Sequence, residues 1–317
     1  MMVDLESIKS RLSRLDVFLD ESSLRLHSEQ GLVNEVYTVE SNIGRLIIHF
    51  RKQSDKHVQL EKVKRVFEVS RFIRKRTSVP VPEVITFGKD KAGCAFLVQR
   101  FVEGKKLSSV KDKPVYIRQL AKYIAELHHL HIAGGGYLVF RSGRLRGKFR
   151  DYFSFLKSGS LGCLKGIYSV RKELGKTVEP DFSVLRSRLD AFFRKFKELC
   201  VGVKSRLLHG DLKFENILVD DNGIVALVDL EWSAAGDPAW DFSGRKDLND
   251  VFFEEYFKRM RSLGEPVDEK SFRLRVGIAW TIRLVFIADT FKRDEETFGW
   301  SFREFKENLD KLLLEES

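Results

Sequence analysis

The chain has 317 residues and a net charge of +10, enough length for two modest domains or one bilobal one. Its 43% hydrophobic share is that of an ordinary globular protein and excludes a low-complexity chain, while the positive charge points to acidic ligands that nucleotide phosphates would satisfy without nucleic acid. Three widely separated cysteines, Cys94, Cys163 and Cys200, have no metal-ligand spacing and are expected as reduced thiols in or near the core.

The opening stretch, MMVDLESIKS, carries charges where a secretory leader would carry an apolar run, so a cytoplasmic protein is expected. Leu5, Ile8, Leu12, Leu15 and Phe18 recur at helical spacing. Strands are expected over Val36 to Val39 and Leu46 to Phe50, with a turn at Ser41 to Gly44 between them and Gly31 just before. Val63, Val66, Phe67, Phe72 and Ile73 mark a helix over Gln59 to Arg76, stopped before Pro80 and Pro82. Strands follow at Phe87 to Gly88 and at Ala95 to Val102.

After Gly104 the pattern turns helical and is expected to stay so up to the stretch around Asp211. Ile117, Leu120, Ile124 and Leu127 mark a long helix, followed by Tyr152 to Leu156 and Leu185 to Leu199; beyond Asp229 come Asp250 to Met260, Ser271 to Phe291 and Phe302 to Leu314. Between them RSGRLRGKFR places Arg141, Arg144, Arg146, Lys148 and Arg150 together, a run that reads as a solvated face, with an anionic substrate or RNA surface as the alternative. Val276 to Ala288 is the most apolar long stretch, but it is too short for a membrane span and has Arg283 in its middle, so no membrane partner is expected. Together these elements give an α+β fold with a small β-rich lobe over residues 1–103 and a larger helical lobe over residues 104–317.

The chemistry concentrates in Leu207 to Trp232, LLHGDLKFENILVDDNGIVALVDLEW. Two apolar runs flank Asp221, Asn222 and Gly223, the pattern of a short β-hairpin. Asp211 and Asn216 lie in the loop before its first strand and Asp229 ends its second. Turn formers could supply any one of these residues. Phosphoryl transfer needs all three types: a carboxylate to orient the attacking hydroxyl and take its proton, and a second carboxylate with an amide oxygen to hold magnesium against the phosphates.

HGDLKFEN, followed by DLEWSAAGDPAWDF, resembles the aminoglycoside phosphotransferase and choline kinase group, with HGD where protein kinases usually carry HRD. The resemblance implies a bilobal protein-kinase-like fold binding Mg2+ and ATP or GTP between its lobes. It implies Asp211 as the base, Lys213 beside it near the transferring phosphate, and Asn216 and Asp229 as metal ligands. His209 and Asp241 support the loop. Arg100 and Val102 match the hinge that meets the base, and Gly31 the phosphate-covering turn. One position departs: His49 stands where the family carries a phosphate-pairing Lys, and needs a raised pKa to be charged. The loss of a unit charge at ~4 Å is worth about 4 kcal/mol at an effective dielectric near 20. Arg51 is the other cation on that strand face, and the helix over 59–76 offers Glu68 or Glu61 as the acidic residue that in the family partners the Lys. The acceptor is expected to be a small-molecule hydroxyl; a protein kinase and a non-catalytic nucleotide-binding module are the rivals.

Overall fold

The computed structural model describes residues 4–28, 34–51 and 56–314. Helix α1 (Leu5–Leu12) is capped by Asp4, whose carboxylate accepts from the Ser7 N–H, and buries Ile8 and Leu12. It ends sooner than the spacing suggests. Leu15 and Phe18 are exposed, because a 3-10 turn at Ser13–Leu15 takes them off the buried face. Strands β1 (Leu19–Leu26), β2 (Asn34–Ser41) and β3 (Leu46–Arg51) follow, then α2 (Lys56–Arg76), β4 (Val84–Lys89) and β5 (Ala95–Arg100). The five strands form an antiparallel sheet in the order β1-β2-β3-β5-β4.

Strand alternation divides the work of β3 between two faces. Leu46, Ile48 and Phe50 enter the core beneath α1. His49 and Arg51 therefore face the other way, towards the rest of the chain. Strand β1, LDESSLRL, is mostly polar and lies at the sheet edge, where alternation carries little signal.

The second part holds β6 (Lys105–Lys106), α3 (Pro114–His129), β7 (Gly135–Arg141), β8 (Arg144–Phe149), α4 (Tyr152–Glu173), α5 (Phe182–Lys195) and α6 (Lys197–Val201). Next come β9 (Arg206–Leu208), β10 (Ile217–Asp220), β11 (Gly223–Leu227), β12 (Ala234–Gly236), α7 (Ala239–Phe242), α8 (Asp250–Ser262), α9 (Glu269–Thr290) and α10 (Glu295–Leu314). The α+β reading holds. The expectation of unbroken helix after Gly104 does not, since β7 and β8 make a hairpin turned at Ser142 and Gly143, both at positive φ, as a tight two-residue turn requires. The basic run is thus strand β8, the outer strand of a sheet ordered β8-β7-β12-β9. There Arg144, Arg146 and Lys148 are exposed while Gly147 is buried.

Helix α9 contains the apolar stretch and buries Ile278, Ile282, Leu284, Val285 and Ala288. Among the described residues no helix is long and apolar enough to cross a membrane.

Candidate active site

The loop between β9 and β10 is held from beneath by one carboxylate. Asp241, fully buried on α7, accepts from the His209 N–H at 2.7 Å and the Gly210 N–H at 2.8 Å, one to each oxygen. His128 of α3 lies 3.1 Å from Asp241 through Nε2 and 3.0 Å from the Tyr256 hydroxyl through Nδ1. Since a carboxylate only accepts, Nε2–H is the donor to Asp241. Burial pushes the Asp241 carboxyl up, but the His128 bond, nearby histidines and the Gly210 N–H outweigh it, and the net shift is downward. His209 turns Nε2 to the Val228 carbonyl at 3.1 Å.

Gly210 has φ +84°, and a Cβ there would meet the Trp232 carbonyl oxygen at 1.9 Å. A side chain at this position has no space, which gives HGD a steric reason.

Asp211 is partly buried. Its Oδ2 takes Lys213 Nζ at 2.7 Å and Asn216 Nδ2 at 3.0 Å, while Oδ1 faces Arg283 Nη2 at 3.7 Å. Burial raises its carboxyl and these partners lower it further, so the balance favours the carboxylate. Asn216 spends its amide N–H on Asp211 and keeps its amide oxygen for another ligand. Asp229 follows β11 in the left-handed region at φ 62°, which Asp tolerates better than most residues. It is exposed. Even so its carboxyl is held above its ordinary value, by the protein mass around it first and then by the charges of Asp211 and Glu231. Among the described residues no group of three or more His, Cys, Asp and Glu side chains is placed to hold a metal. Asp229 and the Asn216 oxygen are hard oxygen donors, a donor set that fits magnesium completed by phosphate oxygens.

On the opposite wall the cation is Arg51. It is buried and ion-paired with Glu231, two residues after Asp229. Glu231 also receives Lys62 of α2 at 3.4 Å, and its backbone carbonyl accepts from Arg65 at 3.1 Å. Burial pushes the Glu231 carboxyl up and Arg51 pulls it below its ordinary value. His49 is corrected here: desolvation first, then His27 and Arg51, lower its pKa to about 4. Without a ligand the ring is therefore uncharged at neutral pH, and Arg51 is the cation of this strand face. Glu68 is corrected as well, because it forms no ion pair among the described residues, and neither it nor Glu61 is the partner of Arg51. Gly31 lies outside the described residues.

At the expected hinge, the Arg100 N–H is already given to the Glu83 carbonyl at 2.9 Å, and its guanidinium pairs with Glu83 at 2.6 Å. Val102 follows β5 half-buried. Its backbone groups carry no hydrogen bond among the described residues, so Val102 is better placed than Arg100 to meet a nucleotide base. The sequence reading missed Glu231, Arg65 and the role of Arg283. Only Arg283 left a signal there, as the one charge inside the apolar stretch Val276 to Ala288. A cavity of about 550 Å³ lined by Arg71, Arg74, Lys75 and Pro80 includes none of these residues and lies at the far end of α2.

The model of the phosphotransferase enzyme family matches residues 28–245. In overall structure the chain is similar to a protein from Haemophilus somnus 129PT provisionally named a fructosamine-3-kinase, with 16% identity, 96% of this chain and 96% of that one covered, and a TM-score of 0.68. It is also similar to a thermostable mutant of aminoglycoside phosphotransferase APH(4)-Ia in ternary complex with AMP-PNP and hygromycin B, at 15% identity, 97% and 98% coverage and a TM-score of 0.63. A third similar structure is the GDP complex of wild-type aminoglycoside 2'-phosphotransferase-IIIa, at 18% identity, 98% and 99% coverage and a TM-score of 0.63. A search of curated proteins found no match.

Proposed function

The chain belongs to the phosphotransferase enzyme family and has its protein-kinase-like fold, and from that premise we propose that it moves the γ-phosphoryl group of ATP or GTP to a hydroxyl of a small molecule. The observation that carries this reading is the bonded cluster of Asp211, Lys213 and Asn216, with the exposed Asp229 carboxylate close enough to feel the charge of Asp211. Asp211 orients the acceptor hydroxyl and takes its proton as the new oxygen–phosphorus bond forms and the bond to the leaving nucleoside diphosphate breaks. Lys213, whose side chain is 45% exposed, turns from Asp211 to the transferring phosphoryl group. Asn216 and Asp229 would hold Mg2+, which when bound neutralises phosphate charge. The cleft lies between the parts divided near Glu103, with Val102 at the base and Arg51 on the upper wall.

The short path from Asp229 to β12 and α7 leaves no extended segment for docking a protein substrate, which favours a small acceptor over a protein one. The test is Mg2+-dependent transfer from ATP and GTP to a pool of hydroxylated metabolites, with Asp211→Ala alongside. Transfer to one metabolite is expected, falling about 100 to 10,000-fold in the variant while nucleotide affinity is retained. Nucleotide binding with no transfer to any acceptor would sink the proposal.

A further inference from the structure

The two oxygens of Asp211 face two cations that are held very differently. Lys213 approaches Oδ2 on a half-exposed side chain that has no other ion partner among the described residues. Arg283, whose side chain is only 17% exposed, approaches Oδ1 from α9. It also donates to the Gly210 carbonyl at 2.9 Å, the Trp240 carbonyl at 3.2 Å and the Ser243 hydroxyl at 3.2 Å, and its guanidinium lies over the Trp240 ring at 5.6 Å. Lys213 can swing away; Arg283 cannot.

Resting on the reading of Asp211 as proton acceptor, we propose that Arg283 is its positioning residue, a cation anchored on α9 that keeps the Asp211 carboxylate aimed at the acceptor once Lys213 has left for the phosphates. Three features support this role. At 3.7 Å the guanidinium attracts Oδ1 without a full hydrogen bond, so it orients the carboxylate and leaves its lone pairs for the incoming proton. Its forked donors span the Gly210 carbonyl and α7 together, a geometry a single ammonium cannot reproduce. Finally, the loop has no room for its own cation before Asp211, because any Cβ at Gly210 strikes the Trp232 carbonyl. Helix α9 therefore supplies the charge from outside the motif. The same helix packs through Phe286 against Phe155 and Trp240, so one rigid element carries both the base's orientation and part of the wall around it.

The experiment compares wild type, Arg283→Met and Arg283→Lys in Mg2+-dependent turnover, with AMP-PNP affinity measured by calorimetry on the same preparations. Misplacing a reacting group by about 1 Å costs on the order of 100-fold. Arg283→Met is expected to lose about that in kcat with AMP-PNP affinity within about twofold, and Arg283→Lys to recover roughly tenfold of it. Wild-type kcat in the Met variant, or a parallel fall in kcat and AMP-PNP affinity, overturns the inference. Should the Met variant not fold, Arg283→Lys decides: reduced kcat with intact AMP-PNP binding supports the role, and wild-type kcat overturns it. A wild type that binds AMP-PNP without turnover defeats the phosphotransfer reading and this inference with it; an active wild type beside an unaffected Met variant defeats this inference alone.

Discussion

The two walls of the cleft are built on opposite plans. Beneath, His209, Gly210, Asp211 and Asn216 lie within one short loop, and each has polar partners inside the loop or on the single carboxylate of Asp241. Above, on β2 and β3, Asn34 Oδ1, His49 Nε2 and Arg51 Nε are buried without a hydrogen-bond partner among the described residues, and a strong contact, Arg51 to Glu231, crosses to the other part of the chain. A wall satisfied from within can be read from a motif. A wall completed across a gap depends on what faces it.

The largest effect on that contrast should come from removing Arg51. Arg51→Met leaves Glu231 buried with Lys62 as its only remaining ion partner among the described residues, and breaking a buried pair from one side costs about 3–5 kcal/mol. Urea unfolding should show that loss, and adding Glu231→Leu should restore most of it. If the double variant is as unstable as the single one, the pair is not what joins the walls. In the lower wall, Asp241→Asn weakens three charge-assisted bonds, from the His209 and Gly210 N–H groups and His128, and should cost about 2 kcal/mol at pH 7. The sign of its pH dependence follows from the depressed Asp241 carboxyl. The stability it contributes is fully present above the unfolded value of about 4 and disappears as pH falls through the lower folded value. The gap between wild type and Asp241→Asn should therefore narrow below about pH 4, and a gap that widens there contradicts the assignment. The smallest effect is expected at His49. His49→Lys puts a second cation beside an already buried Arg51, so turnover should stay level or fall; a clear rise would show that the upper wall does lack a charge.

These differences explain what could be read in advance. The order from Asp211 through Asn216 to Asp229 and the hairpin carrying them are local, set by spacing and turn residues within Leu207 to Trp232. The cation of the upper wall is not local. His49 and Arg51 share one strand face; the position of Glu231, far along the chain, makes Arg51 the ion-paired residue, while burial first, then His27 and Arg51, hold the His49 pKa down against the opposing pull of Glu231. Glu68 sat at a plausible helical position, but the acid came from beside the metal turn instead. The β7–β8 hairpin escaped for another reason. Its outer strand alternates cations with small and apolar residues, and that outer run reads as a solvated stretch rather than a strand. As an edge strand its cations have a structural use, keeping other chains from pairing there. Arg141, Arg144, Arg146 and Lys148 form no ion pair among the described residues.

The contact between position 210 and the Trp232 carbonyl limits how such a site can diverge. Trp232 lies three residues after Asp229, so any side chain placed before Asp211 must displace the segment that leads back to the Asp229 carboxylate. The proposed base and the proposed metal ligand are mechanically one part. Variation that retunes the acceptor has to come from elsewhere, through α4, α9 and the helices around them, which leaves the chemistry inherited as a block and the substrate free to change.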